Sequence, residues 1–336
     1  MNHMGMKQNR KLVKKVCILA LLVIMGISPC TQTWAANSTK EVVIREYYSP
    51  DQYNEGLAIK IKDGKKGYIN KKGEEVVKCI YDNAWPVNEG MALVQKGEKF
   101  GFVNKSGKEV IKCKYDLALN FSEGMAPVIK GEKCGFINKN GKEVIKCKYD
   151  DASYFSEGMA AVKKNNKLGF INKKNKMVVS CKYDKVIGFS GGLAAVSRYG
   201  KWALINKNGK EVTMYKYDNV KEVKDGIAVV QSKNRLGCVN KNGKEIIPCE
   251  HEEVQYWTDG LIIVFDRNNN YNEGDFFVYD TKGKMKYQAV VDTSYFYYHE
   301  NGINFVMSNG DVVIMKIYDE PVNGKYMDNC WLTVSE

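Results

Sequence analysis

The chain has 336 residues, 44% of them hydrophobic, and a formal net charge of +12. With a mean hydropathy of -0.41, it has the makeup of a folded globular chain of one large domain or two smaller ones, which excludes a disordered or a membrane-embedded one.

Residues 1–35 read as a secretory signal peptide. Lys7, Arg10, Lys11, Lys14 and Lys15 form a basic start without an acid, and Val16 to Ile27 an apolar run too short for a stable membrane-spanning helix. Pro29 ends the run, and Thr33-Trp34-Ala35 puts small residues at the -3 and -1 positions of a cleavage site before Ala36. A membrane anchor is the weaker reading on length and flanks. Cys30 lies where bacterial lipidation uses a cysteine, but Pro29 stands where Gly or Ala is usual. The mature chain is thus expected to be secreted or cell-surface associated, with no transmembrane segment. Cleavage removes five basic residues and no acid, lowering the formal charge from +12 to +7. That excess favours anionic surfaces such as phosphate-rich wall polymers, although lysines in solvated turns explain it as well.

After a lead-in over 36–52, the chain repeats itself over 53–263. Glu55-Gly56-Leu57-Ala58 returns every 34 residues, with its glycine at Gly90, Gly124, Gly158, Gly192, Gly226 and Gly260. A second glycine, before an aromatic and an Ile or Val, recurs at Gly67, Gly101, Gly135 and Gly169, and in altered settings at Ala203 and Gly237. Turns follow at Gly73, Gly107, Gly141, Gly209 and Gly243. Units close on Tyr-Asp, at Tyr81, Tyr115, Tyr149, Tyr183 and Tyr217.

Inside a unit the pattern is β. Met159-Ala160-Ala161-Val162 is a short apolar run, Asn165-Asn166 a turn, Leu168 to Asn172 a second strand and Met177-Val178-Val179 the start of a third. Asn140-Gly141 and Asn242-Gly243 suit two-residue hairpins that need positive φ. A two-helix repeat of similar period is disfavoured by the Gly, Asn and β-branched content. An aromatic or apolar residue three before the first glycine (Tyr53, Val87, Phe121, Phe155, Phe189, Val223, Trp257) is expected to form a packing column. Residues 264–336 read as a degenerate last repeat and cap. Asp275 to Lys284 there looks like a second strand and turn displaced by a six-residue insertion.

These units resemble the WG repeat, a bacterial β-repeat family. Lys133-Cys134-Gly135-Phe136-Ile137-Asn138, the turn at Gly141, Val144-Ile145 and Tyr149-Asp150 carry the likeness best. The name-giving Trp survives only as Trp202, and there the Gly is Ala203. The resemblance implies an architecture more than an activity. About seven units in an open, solenoid-like all-β array are expected, with a β-propeller as the alternative, since propeller blades are usually longer.

Eight cysteines follow the cleavage site. Cys79, Cys113, Cys147, Cys181 and Cys249 share one repeat position, Tyr215 fills it in the fifth unit, and Cys134 and Cys238 share another. A column of small thiols is expected rather than disulfides between units. No cysteine pair has zinc-knuckle spacing. Asp266, Asn268 and Asn270 have the alternate spacing of a calcium loop, but Tyr271 and Phe277 replace its turn glycine and its bidentate acid, so a polar hairpin tip is preferred. His251 replaces a Tyr of Tyr-Asp, and Tyr295 to Tyr298 could stack a sugar or simply alternate in a strand. Glu89, Glu123 and Glu157 read as turn residues. No catalytic set, cofactor site or phosphate loop is found. The expected function is a non-catalytic binding module at the cell envelope or outside the cell, for an unknown protein or an anionic envelope polymer and not for nucleic acid. A structural or assembly scaffold is the alternative, and a cell-wall hydrolase the remote one.

Overall fold

A computed structural model describes residues 53–257, 260–267, 273–299, 302–307, 312–316 and 331–335, with side chains as far as residue 291. The leader with its Ala35-Ala36 junction, Cys30 and the lead-in lie outside the described residues.

Seven antiparallel sheets follow one another over 57–81, 83–115, 117–149, 151–183, 185–206, 219–251 and 253–335. There is no α-helix and no closed barrel among the described residues. The third sheet shows how a unit forms. Leu117–Ala118, Met125–Lys130, Lys133–Asn138 and Glu143–Tyr149 pair in sequence order as a meander. The two-residue strand after Tyr-Asp is a fourth, beyond the three that the pattern predicts.

Each unit uses two kinds of turn. Between the two central strands, a left-handed pair such as Asp63-Gly64 or Asn165-Asn166 makes a two-residue turn, while Gly97 and Gly131 lead turns in which only the first residue is left-handed. The second turn differs from the expected two-residue hairpin. Asn138 N–H donates to the Lys142 carbonyl and Gly141 N–H to the Asn138 carbonyl, closing a three-residue loop in which only Gly141 (φ 76°) is left-handed. The Asn138 side chain holds it by accepting from the amides of Asn140 and Lys142. This Asx geometry explains why Asn recurs at the end of the second strand.

The glycine of the second strand has a different cause. Pairing with the third strand slips at this point, between Cys134 and Phe136. A Cβ on Gly135 would lie 2.5 Å from the Ile145 carbonyl oxygen and 2.6 Å from the Cys147 nitrogen.

Both faces of a sheet are buried because it lies between two others. Ala126, Val128 and Ile137 pack with Phe102 and Ile111 of the second sheet, whereas Met125, Phe136 and Ile145 pack with Ala160, Val162 and Ile171 of the fourth. Six such cores join successive sheets, the arrangement that an open array requires. The anticipated aromatic column is a set of cross-unit pairs. Phe121 meets Phe102 and Phe155 meets Phe136 with centroids 4.8 Å apart, and Phe189 meets Phe170 at 4.9 Å.

The seventh sheet departs from the pattern. Its second strand, Glu273–Asp280, ends in a turn where Asp280 does the work of Asn, accepting from the amides of Lys282 and Lys284. Gly283 takes φ 80° there, so the displaced strand and turn occur as read. Beyond it the meander continues through Met285–His299, Gly302–Met307, Val312–Lys316 and Trp331–Ser335.

Candidate binding surface

The first hairpin of each of the first five units carries a basic residue on either side of its tip: Lys62 and Lys65, Lys96 and Lys99, Lys130 and Lys133, Lys164 and Lys167, Arg198 and Lys201. Stacking places these tips in a row, and the Asp of Tyr-Asp ties them together. Asp82, Asp116, Asp150, Asp184 and Asp218 each accept from the second lysine of their own unit at 2.5 Å. With the other oxygen each accepts from a tip amide of the next unit (Gly97, Gly131, Asn165, Tyr199 and Lys233) at 2.6–3.1 Å. The lysine beside Asp82, Asp150, Asp184 and Asp218 holds those carboxyls below the usual range, helped by the tip amide.

One lysine per tip is thereby neutralised and the other is not. Lys62, Lys96, Lys130, Lys164 and Arg198 make no ion pair among the described residues. The row therefore presents, in register, one cation without an ion pair in each of the first five units, with the turn acids Asp63, Glu98 and Glu132 beside it on the first three tips.

A second ladder joins the units through the Glu of Glu-Gly. Glu55, Glu89, Glu123 and Glu157 are left-handed, at φ 46–53°. Their carboxylates accept from the amides of Gly90, Gly124, Gly158 and Gly192 in the next unit. They also pair with that unit's Lys105, Lys139, Lys173 and Lys207 at 3.0–3.6 Å. Partial burial alone would raise the Glu89 and Glu157 carboxyls, but these amides and lysines outweigh it and hold them below the ordinary value. In the fifth unit Gly191 replaces the Glu. The Ser190 carbonyl accepts from Gly226 N–H, and a Cβ on Gly191 would sit 1.9 Å from that nitrogen.

The repeat-position cysteines form no disulfide among the described residues and are half-buried. Cys79, Cys113, Cys147 and Cys181 each direct Sγ to a first-strand carbonyl 3.6–3.9 Å away. Burial, with Glu109 beside it, pushes Cys113 up to about 11, and burial with Glu245 pushes Cys249 up to about 12, so neither is a ready nucleophile at neutral pH. Cys134 and Cys238 are fully buried.

Of the candidate calcium residues only Asp266 lies within the described residues. Asp266 accepts from the Glu252 amide and stands 2.6 Å from His251 Nδ1, while Asn268 and Asn270 lie outside the described residues. His251 occupies the repeat position at the end of Glu245–His251, opposite Leu236. Tyr295 to Tyr298 and His299 lie in Met285–His299. No helix of the described residues is long and apolar enough to cross a membrane. The sequence reading missed the Asp and Glu ladders and the alternation of paired and unpaired tip cations. The available signal was the recurrence of the same acids and lysines at one period.

Three solved structures give distant likenesses. The computationally designed Ika8 protein is 10% identical over 79% of this chain and 94% of its own, with a TM-score of 0.38. A eukaryotic initiation factor is 10% identical over 78% of this chain and 83% of its own, with a TM-score of 0.45. Hsv2 of Kluyveromyces lactis is 11% identical over 74% and 95%, with a TM-score of 0.38. No curated protein matches the chain. The family model of the WG containing repeat matches residues 67–100, 100–134, 135–167, 169–202, 202–235 and 237–271. Those six stretches span more than half of the sequence at the period of the sheets, and the chain belongs to the WG-repeat family.

Proposed function

We propose that the chain is an exported, non-catalytic binding module that holds an anionic cell-envelope polymer along its hairpin tips. The in-register row of unpaired cations, Lys62, Lys96, Lys130, Lys164 and Arg198, carries this reading. Regularly spaced positive charges on a stacked array suit a partner with regularly spaced negative ones. Each contact is weak in water and the sum over units is not.

Co-sedimentation of the protein with purified envelope fractions across a salt titration tests it. Pelleting should fade as salt shortens the range of surface charges to below about 8 Å. Lys96→Glu, Lys130→Glu and Lys164→Glu together should abolish it while far-UV dichroism stays unchanged and Tm moves little, because none of the three makes an ion pair among the described residues. Pelleting that survives the triple reversal would refute the row.

A further inference from the structure

The fifth unit breaks several local rules in one place. The left-handed first position of its hairpin tip, filled elsewhere by Asp63, Gly97, Gly131, Asn165 or Lys233, holds Tyr199 at φ 52°, with 88% of its surface exposed. A bulky ring in that backbone region is strained, and this one gains no burial in return. Ala203 stands where other units need glycine. Its Cβ occupies the space into which the partner strand's backbone bulges elsewhere, as the 2.5 Å approach at Gly135 shows.

Accordingly the third strand of this sheet does not form. The segment after Gly209 meets the second strand at the single bridges Trp202 to Tyr217 and Ile205 to Glu211, where Val212 N–H donates to the Leu204 carbonyl and Leu204 N–H to Thr213 Oγ1. The displaced segment leaves Met214 77% exposed and brings up Tyr215, where most other units carry a half-buried cysteine. Arg198, Tyr199, Lys201 and Tyr215 line a shallow depression of about 190 Å³.

The acids around the depression are engaged by its own side chains and backbone. Lys201 is paired with Asp218, and the Tyr215 hydroxyl donates to Glu211. Arg198 makes no ion pair among the described residues, although the Asp184 carboxylate that accepts from the Tyr199 amide lies near enough to feel its charge; the guanidinium lies 5.2 Å over the Tyr199 ring and donates to the Tyr199 hydroxyl at 3.3 Å. A flat exposed ring, a second tyrosine and a guanidinium outside any ion pair form a recognisable set. The ring can cover the apolar C–H face of a sugar, and the planar fork can take a carboxylate. The volume suits one ring-sized group and is below that of drug-sized pockets. Local rules broken together without gain to the fold mark a functional site.

We propose that this depression binds an acidic sugar residue of an anionic polysaccharide. The proposal rests on the polymer-binding reading above and names one subsite on the same row. Calorimetry on the full chain tests it with tetragalacturonate, with cellotetraose as the neutral control and an oligoglutamate of equal charge as the peptide control. Tetragalacturonate should bind at least ten-fold more tightly than either control. Tyr199→Gly should weaken that binding ten-fold or more and raise Tm, because glycine adopts the left-handed turn freely. Arg198→Gln should erase the preference for the acidic over the neutral sugar. Equal binding of oligoglutamate, no binding of tetragalacturonate, or unchanged affinity in Tyr199→Gly would overturn the site. If the triple lysine reversal abolishes envelope pelleting while Tyr199→Gly binds like wild type, the row stands and the site falls. If Tyr199→Gly loses tetragalacturonate while the reversed protein still pellets, the site stands and the row falls.

Discussion

Two of the glycine positions in the regular units are unlike in cause, and one substitution separates them. Gly124 is left-handed at φ 79° with open space around it, whereas Gly135 has an ordinary φ and backbone atoms within 2.6 Å of where a Cβ would sit. Gly124→Ala should cost about 1 kcal/mol, the penalty of a left-handed residue with a side chain. Gly135→Ala should cost roughly 3 kcal/mol, because the atoms it meets are backbone and cannot rotate away. Urea denaturation of both variants measures the difference; equal losses would show that the close approach at Gly135 is not a constraint. Ala203 is the natural instance of the second change, and the lost strand beside it is its visible effect.

Among elements, strands make the sheets and carboxylates join them. Glu123 links the third sheet to the fourth through the Gly158 amide and Lys173. Glu123→Asn keeps a residue tolerant of the left-handed turn but is too short to reach, so about 1–2 kcal/mol should be lost with the acceptor of a part-buried amide. The chemical-denaturation midpoint reports it; an unchanged midpoint would mean that water satisfies that amide. The period, the three longer strands and the places of their turns, though not the three-residue form of the second, were legible in the sequence because Gly-Met-Ala, Gly-Phe-Ile-Asn and Tyr-Asp mark each one. Leu117–Ala118 was not, since two residues carry no alternation. Nor was the role of Glu123, whose partner Gly158 is 35 residues away and becomes a neighbour only when sheets stack. Tyr199 escaped notice because Arg-Tyr-Gly-Lys reads as an ordinary turn; comparing the units column by column would have gathered Tyr199, Ala203 and Tyr215 into one exception.

For the whole molecule, the ladders make stability depend on pH. The carboxyls of Asp82, Asp150, Asp184, Asp218, Glu89 and Glu157 titrate below their ordinary values when folded. Their contribution is therefore complete above the unfolded value of about 4 and is lost as the pH falls through the lower folded values. Tm should be flat from pH 8 to about pH 5 and fall below about pH 4. Salt should shrink the part of that fall owed to the exposed Asp–Lys pairs. A Tm at pH 3 equal to that at pH 7 would show that the ladders contribute nothing. The Glu ladder also has a direction. Each carboxylate reaches forward to the following unit and none reaches back, so the second, third and fourth units each offer a plug on one side and a socket on the other. Excising any whole number of periods from the regular run rejoins a plug to a fitting socket, whereas a cut of half a period leaves both open. Length in this architecture can thus change by recombination in steps of one unit, with reach along a polymer as the quantity that changes.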